Sequence, residues 1–246
     1  MEADGIAHTQ VTKVTIAQPN APWGLGRVSH RKKGISEYDY DSNGGAGTCS
    51  YTIDTGVYAA HPDFEGRAKQ IKSYTGVDTD DNGHGTHVAG TIGSKTYGVA
   101  KKTKIYAIKV LDASGSGAWS DIVDAIQYTV NDSKTRNCTK GVIVNMSLGG
   151  GKTQAVNDAV AAAVNAGLFF AVAAGNEGTD FSTTSPASEP KAFAVGASDI
   201  SDGFASFSNY GRTLGVIAPG VDILSTWNDG STVSFPWNSN EDTNWS

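Results

Sequence analysis

From Cys49 onward, short apolar runs alternate with stretches in which apolar residues recur at helical spacing. The apolar runs include "CSYTI", "KIYAIKV", "VIVNMSL" and "LFFAVAAG", and between them lie "THVAGTIGS", "WSDIVDAIQYTVNDS" and "TQAVNDAVAAAVNAG". This alternation is typical of βαβ units, in which crossover helices join parallel strands. The runs are apolar throughout, which indicates strands covered on both faces. The sequence therefore predicts an α/β fold, a mostly parallel central sheet with helices on both faces.

The composition of the chain narrows the class of protein. Its 246 residues, 39% of them hydrophobic, supply enough apolar material for one core, so we expect a single globular domain. The 19 basic and 25 acidic residues give a formal charge of −6, which offers no basic surface to nucleic acid or to an anionic membrane. The longest near-apolar run, residues 159–175, is shorter than the roughly 20 residues of a membrane span. We expect a monomer, with neither nucleic acid nor membrane as partner.

Two cysteines, Cys49 and Cys138, stand far apart in the chain. They exclude a four-cysteine zinc site, and they leave open either one disulfide that closes a long loop or two buried free thiols. The opening residues, "MEADGIAHTQ", lack the basic start and the apolar stretch of a secretory signal. No signal peptide is therefore visible in the sequence.

The stretch "DDNGHGTHVAGTIG", residues 80–93, carries two histidines, His84 and His87. Zinc ligands on one helix usually stand four positions apart, and the glutamate of HExxH is absent, so a metal-dependent hydrolase is the weaker alternative. Residues 78–83 match the opening of an EF-hand calcium loop, but its twelfth position is Ala89 rather than glutamate. We expect these acidic residues to form a solvated loop ahead of a helix.

His84 can also be a general base. It lies at the predicted helix start between Gly83 and Gly85, where the missing side chains would leave room for a substrate. The positive end of the helix would disfavour protonation of the imidazole. Asp54, in "YTIDTG", could accept a hydrogen bond from one ring nitrogen and fix the tautomer. For one aspartate and one histidine taken alone, structural roles remain the better interpretation.

Four motifs in chain order, "DTG", "GHGTHVAGTIG", "NMSLGG" and "AAGN", resemble those of the subtilisin-like serine proteases. The segments "APWGLGRVSH", "HPDFEGRA", "GSKTYGVAKK", "KVLDASGSG", "SPASEP" and "SFSNYG" are similar to the fungal proteinase K and cuticle-degrading branch. The resemblance spans about residues 16–227. It implies a three-layer subtilisin-like fold and a serine endopeptidase that hydrolyses peptide bonds in peptide or protein substrates by Asp/His/Ser acyl transfer.

The resemblance also implies roles for individual residues. Asp54 corresponds to the orienting carboxylate, His84 to the general acid/base, His87 to a structural histidine and Asn176 to the side-chain oxyanion donor. Small residues suit two extended segments that pair with a peptide substrate through their backbones. These substrate-binding residues are Gly115, Ser116, Gly117, Ser147, Leu148 and Gly149.

Cys49 and Cys138 match a disulfide of the proteinase K relatives. The resemblance therefore implies a bridge between them, an oxidising compartment and a secreted, extracellular parent protein. Residues 1–15 resemble the end of the inhibitory propeptide of the family, which would be a partner in the precursor. Mature sequence would then begin near Ile16, with residues 16–246 forming an incomplete peptidase domain.

The calcium site of the family uses backbone carbonyls near Pro190 and Ala192 and an aspartate at the place where this chain has Gly215. Calcium prefers carboxylate oxygen, so carbonyls alone would make a weaker site. We therefore predict no cofactor and no metal ligands.

The chain departs from the family after "ILSTW". There the family continues into "GTSMATPH", whose serine is the nucleophile, whereas this chain reads "NDGSTVSFPWNSNEDTNWS". Ser239 falls about where the nucleophile would, but asparagines flank it. We expect residues 234–246 to be unlike the family, the C-terminal part of the fold to be missing and the chain as written to be inactive. A non-catalytic peptide-binding module is then the alternative function.

Overall fold

The structure is a computed structural model that describes residues 14–235. Residues 1–13 of the expected propeptide remnant and residues 236–246, including the candidate Ser239, lie outside the described residues. The four helices in the described range are α1 (Trp23–Ser29), α2 (His84–Gly93), α3 (Trp119–Ser133) and α4 (Gln154–Asn165). The strands are β1 (Thr15–Pro19), β2 (Glu37–Asp41), β3 (Cys49–Asp54), β4 (Ala68–Ser73), β5 (Lys104–Lys109), β6 (Val142–Met146), β7 (Gly150–Gly151), β8 (Phe169–Ala173), β9 (Thr184–Ser185), β10 (Phe193–Ser198), β11 (Leu214–Pro219), β12 (Ile223–Thr226) and β13 (Thr232–Phe235).

Seven of these strands form one parallel sheet in the order β11-β10-β8-β6-β3-β5-β4. Strand β3 lies inside the sheet, and all six of its residues are buried. The predicted α/β fold with a parallel central sheet is confirmed. Among the described residues, β1 with β2, β7 with β9 and β12 with β13 form three small antiparallel pairs outside it.

Side-chain alternation along β5 places helices on both faces of the sheet. Tyr106 and Ile108 belong to the larger core with residues of α3 and α4. Ile105 and Ala107 belong to a second core with Ala89 of α2. Because successive side chains of a strand point to opposite faces, α2 packs on one face of the sheet, and α3 and α4 pack on the other.

Cys49 and Cys138 form a disulfide, with their Cα atoms 5.4 Å apart. Cys49 is the first residue of β3 and is fully buried, whereas Cys138 follows the end of α3. The bridge thus ties the central strand to the end of a covering helix. The pairing implied by the family resemblance is confirmed. No helix in the described part of the chain is long and apolar enough to cross a membrane.

Replacement of both cysteines by alanine should lower the free energy of unfolding by about 3–5 kcal/mol, because the bridge closes a long loop and restricts the unfolded chain. Alanine avoids the cost of burying a serine hydroxyl at position 49. Urea unfolding of the 246-residue chain and of the double variant measures the difference. A loss below about 1 kcal/mol would contradict this estimate.

Candidate active site

Asp54 is the last residue of β3 and lies at the carboxyl end of the sheet, where ligands bind in open parallel sheets. Its side chain is fully buried, and Oδ1 is 2.7 Å from Nδ1 of His84. The same oxygen accepts a hydrogen bond from the amide of Thr55, also at 2.7 Å. The expected contact between Asp54 and His84 is therefore present.

His84 is the first residue of α2, and close packing explains the glycines on either side of it. Gly83 has φ = 116°, and a Cβ there would come within 2.3 Å of the Trp227 ring. A Cβ on Gly85 would lie 2.1 Å from the carbonyl oxygen of Gly56. The interpretation that these glycines leave room for substrate is wrong, since the protein itself fills both positions.

Asp80 holds the first turn of α2 against the segment that follows β3. Its Oδ1 accepts a hydrogen bond from the Thr55 hydroxyl at 2.8 Å and from the amides of Asn82 and Gly83 at 3.1 and 2.8 Å. Its Oδ2 accepts from the amide and hydroxyl of Thr86 at 2.9 and 2.5 Å. Asp80 is only 6% exposed, so the expectation of a solvated acidic loop is wrong for this residue.

The surroundings of His84 favour its protonated form. Burial by itself would lower its pKa, but the charge and the hydrogen bond of Asp54 outweigh burial, and Asp80 adds a smaller contribution. The pKa of His84 therefore lies above its ordinary value. The expectation that the start of α2 keeps the imidazole unprotonated is wrong in direction, because the two carboxylates carry full charges.

His87 ties α2 to β12. Its Nε2 is 2.9 Å from the carbonyl oxygen of Ile223, and its ring meets the Trp227 ring edge to face. Burial lowers the pKa of His87. Among residues 14–235, no group of three histidine, cysteine or carboxylate side chains of metal-binding geometry includes His84 or His87.

His84 and Asn176 line one cleft of about 600 Å³. The segments 115–117 and 147–149, predicted to bind substrate, line the same cleft. Trp119 and Asn145 also line it, and the Asn145 amide donates a hydrogen bond to the Ser147 hydroxyl at 2.9 Å. The sequence assigned neither residue to the site, although Trp119 lies only two positions after the first segment.

Asn209 shapes the turn that carries Asn176. Its Oδ1 accepts from the amides of Glu177 and Thr179 at 3.1 and 2.8 Å, and its Nδ2 donates to the Ala174 carbonyl at 3.0 Å. Asn209 is fully buried, so these hydrogen bonds fix the turn from beneath. The sequence placed Asn209 in the motif "SFSNYG" but gave it no role.

Gly215 stands where the family has a calcium-binding aspartate, and an aromatic ring lies against it. A Cβ at this position would lie 2.7–2.8 Å from the ring of Phe193. That ring also packs on Phe169, with ring centroids 5.7 Å apart. Gly215 supplies no carboxylate and the half-exposed Phe193 ring covers the position, so the residues present do not supply the carboxylate of the calcium site that the family resemblance implies.

Known proteins that are similar to this chain include subtilisin-like proteases. The sequence profile of the subtilase family matches residues 51–244. The chain is 58% identical over 219 residues to the cuticle-degrading protease of Metarhizium anisopliae, covering 89% of this chain and 56% of that protein. It is 54% identical over 229 residues to proteinase T of Parengyodontium album, covering 92% and 78%.

A solved structure, that of a cold adapted subtilisin-like serine proteinase, superposes with a TM-score of 0.80 at 40% identity. The match covers 88% of this chain and 79% of that one. The chain thus spans little more than half the length of the Metarhizium relative and most of the length of the solved chain.

Replacement of Asp54 by asparagine should lower the pKa of His84, because it removes the nearest negative charge. Asp80→Asn should lower it less, since Asp80 contributes less to the shift. The pH dependence of the ring ¹H–¹⁵N signals of histidine measures both effects. Asp78→Asn, which changes an exposed carboxylate two positions from Asp80, is the matched control and should leave the pKa unchanged. An unshifted pKa in Asp54→Asn would show that the 2.7 Å contact does not govern the imidazole.

Proposed function

Because this chain belongs to the subtilase family, we propose that its cleft is built for peptide-bond hydrolysis by acyl transfer, as in a subtilisin-like serine endopeptidase. The observation that carries the proposal is the 2.7 Å contact between Asp54 Oδ1 and His84 Nδ1. Asp54 accepts a hydrogen bond from Nδ1–H, which leaves the Nε2 lone pair to accept a proton from a serine hydroxyl. The raised pKa of His84 makes it a stronger base for that step.

Asn176 is proposed as the side-chain donor to the oxyanion that forms when a hydroxyl attacks the peptide carbonyl. Its side chain is exposed in the same cleft as His84. The hydrogen bonds of buried Asn209 support this role, because an oxyanion donor must be held in place before the reaction.

Segments 115–117 and 147–149 are proposed to bind a peptide or protein substrate by backbone pairing. Both line the cleft, and five of their six residues are glycine or serine, which leave backbone N–H and C=O groups accessible. The disulfide supports an extracellular location for the parent protein. We also propose that a propeptide binds the protein in its precursor and that the mature protein is a monomer.

The 246 residues do not contain the motif that carries the serine nucleophile in the family. Within residues 14–235, no hydroxyl group forms a hydrogen bond with Nε2 of His84. The sequence contains no "GTSMATPH", and Ser239, with Asn238 and Asn240 beside it, stays a positional candidate only. We therefore propose that the 246-residue polypeptide taken alone binds peptides in the cleft without hydrolysing them.

A chimera tests the proposed chemistry directly. Residues 1–227 joined to the C-terminal segment of the Metarhizium relative, with its nucleophile, should hydrolyse a peptide substrate and react with a fluorophosphonate probe. His84→Ala in the chimera should reduce turnover by about 10⁶-fold, the magnitude known from subtilisin itself. An inactive but folded chimera, or one that tolerates His84→Ala, would contradict the role of the pair.

The 246-residue chain should not react with the same probe. Geometry looser by about 1 Å already costs on the order of 10²-fold in rate, and Ser239 lacks the motif that holds the nucleophile. Ser239→Ala is the matched control. Stoichiometric labelling that disappears in this variant would identify Ser239 as a working nucleophile and overturn the proposed inactivity.

We also propose that the chain holds no calcium at the position of Gly215, because glycine supplies no carboxylate and the Phe193 ring covers the position. Millimolar Ca²⁺ should leave the thermal midpoint of the wild-type chain unchanged. In Phe193→Ala/Gly215→Asp, space and a carboxylate are restored, so Ca²⁺ should raise the midpoint. Gly215→Asp alone is the control, and the Phe193 ring should prevent any gain. A rise in the thermal midpoint of the wild-type chain on addition of Ca²⁺ would contradict the proposal.

A further inference from the structure

We propose that His30, Glu37 and Asp39 form a zinc-binding site on the small β1–β2 sheet, outside the cleft. One atom from each side chain, a ring nitrogen or a carboxylate oxygen, lies within 4.8 Å of the other two. None of the three residues lines the cleft that holds His84. The sequence did not draw attention to them, because the first and last of them are nine positions apart and they match no metal motif.

The local structure brings the three side chains together. His30 is the C-terminal cap of α1, with an extended backbone, and Glu37 and Asp39 lie two positions apart in β2. Alternation along a strand puts these two carboxylates on one face. Tyr38 takes the other face, where it is buried with Leu25. The amide of Asp39 donates to the Ser29 hydroxyl at 3.2 Å, which joins β2 to the end of α1.

The spacing of the ligand atoms suits a tetrahedral ion. Nε2 of His30 is 3.4 Å from Oδ2 of Asp39. Charge-assisted hydrogen bonds between nitrogen and oxygen are shorter, about 2.7–2.9 Å. Two ligands about 2.0–2.1 Å from a tetrahedral zinc ion lie about 3.3 Å from each other. The observed separation therefore matches the spacing of two neighbouring zinc ligands.

The second nitrogen of His30 is held in the way that metal-bound histidines usually are. Nδ1 lies 3.1 Å from the carbonyl oxygen of Gly26 and 2.9 Å from the Ser29 hydroxyl. A carbonyl can only accept, so this contact requires a proton on Nδ1. The lone pair of Nε2 then points toward Asp39, ready to bind a cation.

The carboxylates have unused binding capacity. Within residues 14–235, the side chains of Glu37 and Asp39 accept no hydrogen bond, and a divalent cation would relieve the repulsion between two neighbouring negative charges. Two of the basic residues around His30 are engaged elsewhere. Arg27 pairs with Asp202 at 2.6 Å, and Lys33 donates to a backbone carbonyl.

The ligand set selects the metal. Calcium and magnesium prefer oxygen ligands throughout, whereas zinc binds imidazole together with carboxylate. Glu37 is exposed, so solvent can supply a fourth ligand. The ion would connect the end of α1 to β2 across residues 31–36.

Isothermal titration of ZnCl₂ into the untagged 246-residue chain should give binding of one ion per chain. His30→Ala, Glu37→Gln and Asp39→Asn should each weaken it about tenfold or more. Asp78→Asn, an exposed carboxylate outside the group, and His84→Ala, which removes the cleft imidazole, should leave the affinity unchanged. Cobalt bound at the site should give the intense visible absorption of tetrahedral Co²⁺, and this band should disappear in His30→Ala.

Each outcome of this titration decides the proposal. Absence of zinc binding by the wild-type chain overturns it, as does binding that survives all three substitutions or that disappears only in His84→Ala. Glu37→Gln and Asp39→Asn preserve the side-chain shape and leave the contacts of His30 Nδ1 with Gly26 and Ser29 in place, so circular dichroism should show an unchanged fold. These two variants therefore report on the site even if His30→Ala fails to fold.

Discussion

The arrangement of the cleft depends on the buried carboxylate of Asp80. Its five hydrogen bonds join the start of α2 to Thr55, the residue directly after Asp54. A charge-assisted hydrogen bond is roughly twice as strong as a neutral one, and a buried carboxylate without partners would be costly. The first turn of α2 therefore has one low-energy position relative to β3. In that position, His84 meets Asp54 at 2.7 Å.

A second buried charge stabilises the same end of the sheet. Lys109, the last residue of β5, is fully buried and donates to the carbonyls of Thr55 and Leu111 and to the carboxylate of Asp81. All three of its protons are thus used, which offsets the cost of burying the ammonium group. Oδ2 of Asp54, by contrast, accepts no hydrogen bond from the described residues. Its charge stays available to the imidazole, in agreement with the raised pKa of His84.

The sequence predicted the parts of the fold whose local pattern is strong. Buried strands such as β3 and β5 and the helices α2, α3 and α4 follow from apolar runs and helical spacing. The polar edge strand β4, "AKQIKS", and the strand β2, "EYDYD", were not predicted because their pairing depends on distant partners. The site residues Asp54, His84 and Asn176 came from motif resemblance. The roles of Asp80 and Asn209 were missed because each holds backbone groups that no local pattern connects to it.

Strand β12 and the segment that follows it hold α2 in position. The hydroxyls of Ser225 and Thr226 donate to the carbonyls of His87 and Thr86 at 2.8 and 2.9 Å. The absence of a side chain at Gly90 permits this approach, since a Cβ there would lie 2.2 Å from the Thr226 hydroxyl. Strand β12 therefore holds the helix directly, and the segment after it adds to this hold, because Asn228 donates to the Asp80 carbonyl at 3.1 Å and β13 pairs with β12. The orientation of the base thus rests on contacts within the described residues, including residues beyond Trp227, whereas the nucleophile is a separate requirement of the chemistry.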